Sequence, residues 1–281
     1  MRPKYWAHLA ARSHRGNICR QAWTFLRKPY TTGAQQTIPE PGTESHGQLQ
    51  DSLPGTVQSH RCHVFLESPI RPTEFGERHT TPVQRALLLR FLRMGVIVTP
   101  AWHDSGSGER QSAVAYSSLG GRLDISDVTL DNIDLVEQQL KDHIAGPLTQ
   151  ATSSQVDLYV CTHANRDCRC GTMGGLVAEA LREEIKRLQK TNPSSTPRIR
   201  IGEVAHVGGH KYAANVLVYP QGEWLGLVRP EDAPRVISSV IALPARPLDP
   251  FDPILLKPHW RGRMGLGKDE QVDLFQAQAT D

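Results

Sequence analysis

The stretch that decides the fold covers residues 156–189 and reads VDLYVCTHANRDCRCGTMGGLVAEALREEIKRLQ. Its first five residues alternate in a way that predicts a short strand, which runs directly into a cluster of three cysteines. After Gly174 and Gly175, apolar side chains recur at helical spacing and predict an amphipathic helix to about Gln189. A strand, a cysteine loop and a helix in direct succession therefore form the centre of the predicted domain.

The residues that follow complete this unit. Further strands are predicted over 198–204, 216–219 and 224–228, the last two forming a hairpin, and a final helix stops at Pro244. The order strand, helix, strand, hairpin, helix is typical of a thioredoxin-like layer, in which a mixed sheet packs against helices. We expect this domain to occupy residues 152–245.

The preceding residues predict the same order of elements. These are a strand over 62–66, a helix from Thr81-Pro82 to Gly95, strands over 96–98, 113–116 and 122–125, and a helix over 130–144. The predicted fold class is therefore α/β, with two thioredoxin-like units in tandem. The first unit is expected to occupy residues 59–148, and it lacks cysteine and histidine pairs like those of the second.

The two ends of the chain have distinct compositions. Residues 1–30 carry seven basic and no acidic residues, with spaced apolar side chains, which is typical of a mitochondrial presequence; a disordered basic tail is the alternative. Residues 31–58 are rich in Thr, Gln, Gly, Pro and Ser and predict a disordered linker. Residues 246–281 are rich in proline and poor in periodic pattern, so we expect a wrapping C-terminal tail.

Charge and hydropathy exclude some classes of partner. The net charge of the 281 residues is +3, but without the seven basic residues before Glu40 the balance is 25 basic against 29 acidic residues. A mildly acidic body argues against a nucleic-acid partner. No run of 18 apolar residues is present, so the sequence predicts no membrane span.

Cysteines and histidines supply the candidate chemistry. Five cysteines, three of them within ten residues, are too few and too clustered for a secreted disulfide framework. Cys161 and Cys170 form one local pair, and His206 and His210 form a second pair beyond the next strand. Two thiolates and two imidazoles suit zinc or an iron–sulfur cluster. On spacing alone, Cys168 is an alternative to Cys170.

Two motifs make the chain resemble a known family. Residues 161–171, CTHANRDCRCG, and residues 206–216, HVGGHKYAANV, resemble the sucrase/ferredoxin-like family over about residues 62–281. With its presequence, the chain most resembles a fungal mitochondrial member. The resemblance implies that the C-terminal unit is a thioredoxin-like ferredoxin domain holding a [2Fe-2S] cluster on Cys161, Cys170, His206 and His210. Cys168 matches no ligand of the family, and no paired carboxylates support a sucrase.

The leading hypothesis is a mitochondrial [2Fe-2S] protein that acts in electron transfer or in thiol redox control of other proteins. Its redox donor and acceptor proteins are not named by the sequence, and it is expected to be a redox protein rather than a hydrolase. Two alternatives stay open: a structural Cys2His2 zinc module in an interaction protein, and a cluster-free thioredoxin-like oxidoreductase using Cys168 or Cys170. The absence of a Cys-x-x-Cys motif weakens the second alternative.

Overall fold

The computed structural model describes residues 52–104, 111–146, 155–191 and 198–278. The predicted presequence and all but the last residues of the predicted linker lie outside these ranges. The first half contains β1 (Cys62–Glu67), α1 (Pro82–Phe91), β2 (Val96–His103), β3 (Ala113–Ser117), β4 (Gly121–Ile125) and α2 (Ile133–Ala145). The second half contains β5 (Gln155–Cys161), α3 (Gly175–Thr191), β6 (Arg198–Val204), β7 (Val216–Tyr219), β8 (Glu223–Leu225), α4 (Ala233–Ala242), β9 (Trp260–Arg263) and α5 (Lys268–Ala277).

The two halves repeat one topology. In the first, β1 and β2 are parallel and β3 and β4 are antiparallel, in the order β4-β3-β1-β2. In the second, β5 and β6 are parallel and β7 and β8 are antiparallel, in the order β8-β7-β5-β6. The predicted α/β class and its tandem thioredoxin-like order are confirmed.

The repeated units share one continuous sheet of nine strands. They meet where the end of β2 pairs antiparallel with β6, with Ala101 opposite Val204 and His103 opposite Gly202. The sequence pattern predicted this strand over residues 96–98 only. Pro100 lies beyond that range, and a proline inside a strand removes a ladder donor. The Pro100 carbonyl nevertheless accepts a hydrogen bond from the amide of Ala205 (3.0 Å), so the strand continues across the junction.

The helices follow local sequence signals. Thr81 caps α1 by accepting a hydrogen bond from the Gln84 amide (3.1 Å), and Pro82 occupies the first helical position. Val177, Leu181 and other apolar residues of α3 face the sheet, where they join the core of the second unit. Among the helices of the described ranges, none has the length and apolar character needed to span a membrane.

The C-terminal segment adds elements that its sequence pattern did not indicate. β9 extends the sheet beside β8, and the buried Arg263 pairs there with the buried Glu223. The Gln271 side chain of α5 donates to the Val57 carbonyl (3.2 Å). Val57 is buried although it falls inside the predicted linker. Its ordered partner is distant in sequence, which explains why local composition did not reveal the contact.

Candidate metal centre

The register of two parallel strands brings the cysteine and histidine segments together. Cys161 is the last residue of β5 and lies opposite Val204, the last residue of β6. Because the carboxyl ends of parallel strands meet at one edge of a sheet, the segments that follow both strands start side by side. The amide of Thr162 donates to the Val204 carbonyl (3.2 Å), so a hydrogen bond links the ends of the two strands. The two strands thus end at one edge of the sheet, where the segments that carry the cysteines and the histidines begin.

Cys170 reaches this edge on a helical turn. Cys170–Gly174 form a single wide π-type turn that continues directly into α3, a form of helix often found at functional sites. The sequence places the start of the helix at Gly174 and Gly175, and α3 begins at Gly175. The preceding turn extends the helical path back to Cys170, and within it the Gly175 amide bonds to the carbonyls of Gly171 and Thr172.

Three candidate ligands lie close together. The Sγ atoms of Cys161 and Cys170 and one ring nitrogen of His206 all lie within 4.8 Å of one another. Both cysteines are fully buried. Among the described residues, no group hydrogen-bonds to the buried Nδ1 atom of His206. Two buried thiols beside an imidazole nitrogen that lacks a partner are a donor set that fits zinc or an iron–sulfur cluster.

His210 and Cys168, the other two candidate ligands, lie outside this group of three donors. The His210 ring centroid is 5.5 Å from that of His206, and the His210 side chain is 49% exposed, with Nε2 3.9 Å from Asp167 Oδ2. His210 is therefore a neighbour of the three-residue group and lies on its solvent side. Cys168 is exposed, whereas Cys170 is buried within the group. Burial thus favours Cys170 where spacing alone left a choice.

The two buried thiols influence each other's ionisation. A hydrogen bond from Cys170 lowers the pKa of Cys161 well below its usual value, and contact with His206 lowers it further. The same pairing with Cys161 raises the pKa of Cys170, because a second thiolate beside the first is repelled. Only one of the two thiols ionises readily by itself. A cation bound between them would offset the repulsion and favour both thiolates.

The histidine nearest Cys161 in sequence has a structural role. The His163 Nδ1 atom accepts a hydrogen bond from the His206 amide (3.3 Å), and its Nε2 atom donates to the Gly76 carbonyl (2.8 Å). Both ring nitrogens are therefore occupied by backbone groups. This ring holds the loop of His206 against the first unit, a role that the sequence did not reveal.

Gly174 allows α3 to approach the cysteine strand. A Cβ atom at this position would lie 2.1 Å from the carbonyl oxygen of Cys161. We expect Gly174→Ala to lower the free energy of unfolding by about 2 kcal/mol, since overpacking of a core costs about 1–3 kcal/mol. The amount of metal bound per chain should also decrease, because the added Cβ would displace the turn that carries Cys170. Chemical denaturation and metal analysis measure both effects.

Gly175 is the matched control for that substitution. A Cβ at Gly175 would meet nothing within 4 Å, and the residue lies in the helix. Gly175→Ala should therefore leave stability unchanged or raise it by up to about 1 kcal/mol, in line with the helix propensities of the two residues. Equal losses of stability in the two variants would contradict the close-packing argument.

The fold and the site together define an α/β protein of thioredoxin-like order with a candidate cysteine–histidine metal centre at the edge of its sheet. The chain belongs to the sucrase/ferredoxin-like family, whose sequence profile matches residues 53–262. The resemblance inferred from the two motifs is therefore confirmed.

Individual relatives match shorter stretches. The chain is 42% identical over 87 residues to Altered inheritance of mitochondria protein 32 of Meyerozyma guilliermondii. The aligned residues cover 30% of this chain and 29% of that protein. It is 29% identical over 142 residues to Actin patches distal protein 1 of Saccharomyces cerevisiae, which covers 46% of this chain and 45% of that protein. Both matches span less than half of the relative's length.

Solved structures show a partial likeness. A thioredoxin-like [2Fe-2S] ferredoxin from Aquifex aeolicus is 20% identical, with a TM-score of 0.24, and the match covers 31% of this chain and 80% of that chain. The wild-type protein at 1.5 Å resolution, from the same organism, is 18% identical, with a TM-score of 0.26, covering 32% and 88% of the two chains.

Proposed function

We propose that this chain is a [2Fe-2S] protein that transfers electrons, or that uses them in thiol redox control of other proteins. The observation that carries the proposal is the convergence of Cys161, Cys170 and His206 within 4.8 Å at one edge of the sheet. His210 completes the proposed ligand set, since it lies beside His206 on the solvent side. The family membership and the motif spacing support the same assignment.

The residues of the site differ in what they contribute. When bound, the cluster supplies one-electron redox chemistry. Cys161 and Cys170 bring two negative charges from buried positions that exclude water. His206 and His210 add neutral ligands, and the exposed His210 leaves one edge of the centre open to a redox partner. The half-exposed His210 would give a redox partner access to the centre, and the two buried thiolates would be shielded from water.

Ligand charge sets the expected potential. An oxidised [2Fe-2S] core carries a charge of about +2, so two thiolates bring the site to about 0, whereas four bring it to about −2. A less negative site accepts an electron more easily. We therefore expect a reduction potential above that of an all-cysteine ferredoxin.

A zinc module is the second candidate function. Three donors within 4.8 Å of one another also suit one tetrahedral zinc ion, and Cys2His2 is a common structural zinc set. Visible absorption of anaerobically purified protein separates the two candidates. We expect a coloured protein whose spectrum bleaches reversibly when dithionite is added. A colourless protein that contains zinc would replace the redox proposal with the zinc module.

A cluster-free thiol oxidoreductase finds less support. Such an enzyme attacks its substrate with an accessible thiolate. Contact with Cys170 lowers the pKa of Cys161 in the manner of a nucleophile, yet both sulfurs are completely buried. A disulfide of another protein cannot reach a sulfur in that position without local opening. The buried thiol pair therefore fits ligands better than nucleophiles, which leaves the exposed Cys168 as the candidate nucleophile of this alternative.

We also propose that the protein acts in mitochondria. The support is the acid-free, arginine-bearing composition of residues 1–30, together with relatives named Altered inheritance of mitochondria protein 32. A fusion of these residues to a fluorescent reporter should move the reporter into mitochondria. A fusion in which the seven basic residues are replaced by Gln is the control and should stay in the cytosol. Cytosolic residence of the unmodified fusion would contradict the proposal.

A further inference from the structure

Arg261 is a buried charge without an acidic partner among the described residues. It lies on β9 and is 2% exposed. Its guanidinium donates to Thr56 Oγ1 (3.1 Å), to the Thr56 carbonyl (2.9 Å) and to Asn215 Oδ1 (2.7 Å), all neutral acceptors. In the ranges that the structure describes, no carboxylate lies within salt-bridge distance of it. Buried charges are normally paired, so this one calls for a counter-charge.

Arg263, two residues further along the same strand, shows the usual arrangement. It is also buried, and the buried carboxylate of Glu223 neutralises it. Arg261 instead lies 5.0 Å from the Tyr212 ring centroid and 6.0 Å from that of Trp224. Such cation–π contacts offset part of the cost of burial but carry no negative charge. Among the described residues, Arg261 thus lacks the carboxylate that neutralises Arg263.

The loop between the two candidate histidine ligands lies against Arg261. A Cβ atom at Gly209, between the two candidate histidine ligands, would lie 2.3 Å from the Arg261 Nη2 atom, so the guanidinium lies directly against this loop. Burial lowers the pKa of Arg261 to about 10, and attraction to Tyr212, and then to Cys161 and Cys170, opposes that shift. The side chain thus stays charged at neutral pH, and its contact with the Gly209 loop places that charge beside the candidate centre.

One residue, Asn215, links Arg261 to both halves of the centre. Asn215 accepts from the guanidinium through Oδ1 and donates through Nδ2 to the Gly209 carbonyl (3.1 Å). The main-chain carbonyl of Asn215 accepts from the Cys161 amide (3.1 Å). The position of Arg261 is therefore coupled to the cysteine strand and to the histidine loop through a single residue.

We propose that Arg261 is a positioning residue that places a fixed positive charge behind the centre, balances its two thiolates and raises the reduction potential of the cluster. This inference rests on the proposed [2Fe-2S] function. Reduction adds one negative charge to the cluster, and a nearby cation stabilises the reduced state more than the oxidised state. The effect is large in a buried site, because the low dielectric of the interior weakens screening.

Protein-film voltammetry on the full chain tests the proposal. We expect Arg261→Met to lower the equilibrium constant for reduction at least tenfold, which is about 59 mV for one electron. Arg261→Lys keeps the charge and should change the constant less than threefold. Arg187→Met removes an exposed arginine on α3, paired with Glu184 far along the helix, and should leave the potential unchanged.

Thermal unfolding of the same variants separates charge from packing. Both Arg261→Met and Arg261→Lys lose hydrogen bonds, so both should unfold at lower temperature than the natural sequence. A purely structural role predicts equal potentials in the two variants, and that result would overturn the proposal. If Arg261→Met does not fold, Arg261→Gln replaces it, because an amide can still donate to Asn215 without carrying charge.

The test distinguishes this inference from the function on which it rests. A natural-sequence protein that holds no iron would contradict the [2Fe-2S] function itself. A natural-sequence protein with a cluster, whose potential is the same in the Met, Gln and Lys variants, would overturn the role of Arg261 alone. Loss of the cluster in all three variants would indicate a structural role and would also overturn the proposed charge role of Arg261. Loss in the Met and Gln variants only, which lack the positive charge, would support that charge role.

Discussion

Replacing Cys161 or Cys170 with Ser should abolish the cluster, while Cys168→Ser should retain it. The hydroxyl of serine is a far weaker ligand for iron than a thiolate, and each buried cysteine belongs to the compact group of three donors. Cys168 is exposed and lies outside that group. Iron content and visible absorption of the three anaerobically purified variants measure the difference. We expect residual iron below about a tenth in the first two and near the natural level in the third.

Cys168→Ser is also the control for handling and folding, since it removes a cysteine two residues from Cys170. A cluster retained in Cys170→Ser but lost in Cys168→Ser would show that the thiolates were assigned the wrong way round. Circular dichroism of all three variants identifies any loss that comes from unfolding rather than from a missing ligand.

Substituting the histidines should change the potential without removing the cluster. A thiolate can replace an imidazole, so His206→Cys and His210→Cys should each keep the cluster. Each adds one negative charge, so the potential should fall by roughly 100 mV or more, given the span between Rieske and plant-type clusters. Voltammetry of the two variants beside the natural protein gives the shift.

The two histidines have different surroundings, which makes the pair of variants informative. His206 lies within the buried group, whereas the side chain of His210 is half exposed. Unchanged potentials in both variants would contradict the charge argument. A shift in His206→Cys alone, with His210→Ala retaining its cluster, would show that His210 is a neighbour and not a ligand.

Much of the fold could be predicted because its signals are local. Apolar periodicity and the glycines predicted the strand before Cys161 and the amphipathic helix after it. The pair Thr81-Pro82 predicted the start of the first helix. The extension of β2 past Pro100 was missed. It depends on a hydrogen bond to Ala205, more than one hundred residues away, which no local pattern encodes.

The candidate site, like the fold, could be predicted only in part from the sequence. Two closely spaced pairs, of cysteines and of histidines, were visible in the sequence, and the parallel register of β5 and β6 explains their convergence. The choice between Cys168 and Cys170 needed the burial of each thiol. The roles of His163 and Arg261 were not visible, because each acts through contacts with segments distant in the chain.

Counting iron, acid-labile sulfide and zinc in anaerobically purified protein tests the central claim most directly. The proposed [2Fe-2S] site predicts two iron and two sulfide per chain in the natural sequence, with little zinc. Cys161→Ser, prepared in parallel, should contain neither iron nor sulfide and shows how much metal adheres elsewhere. One zinc per chain, with no sulfide, would contradict the claim that this cysteine–histidine centre carries an iron–sulfur cluster.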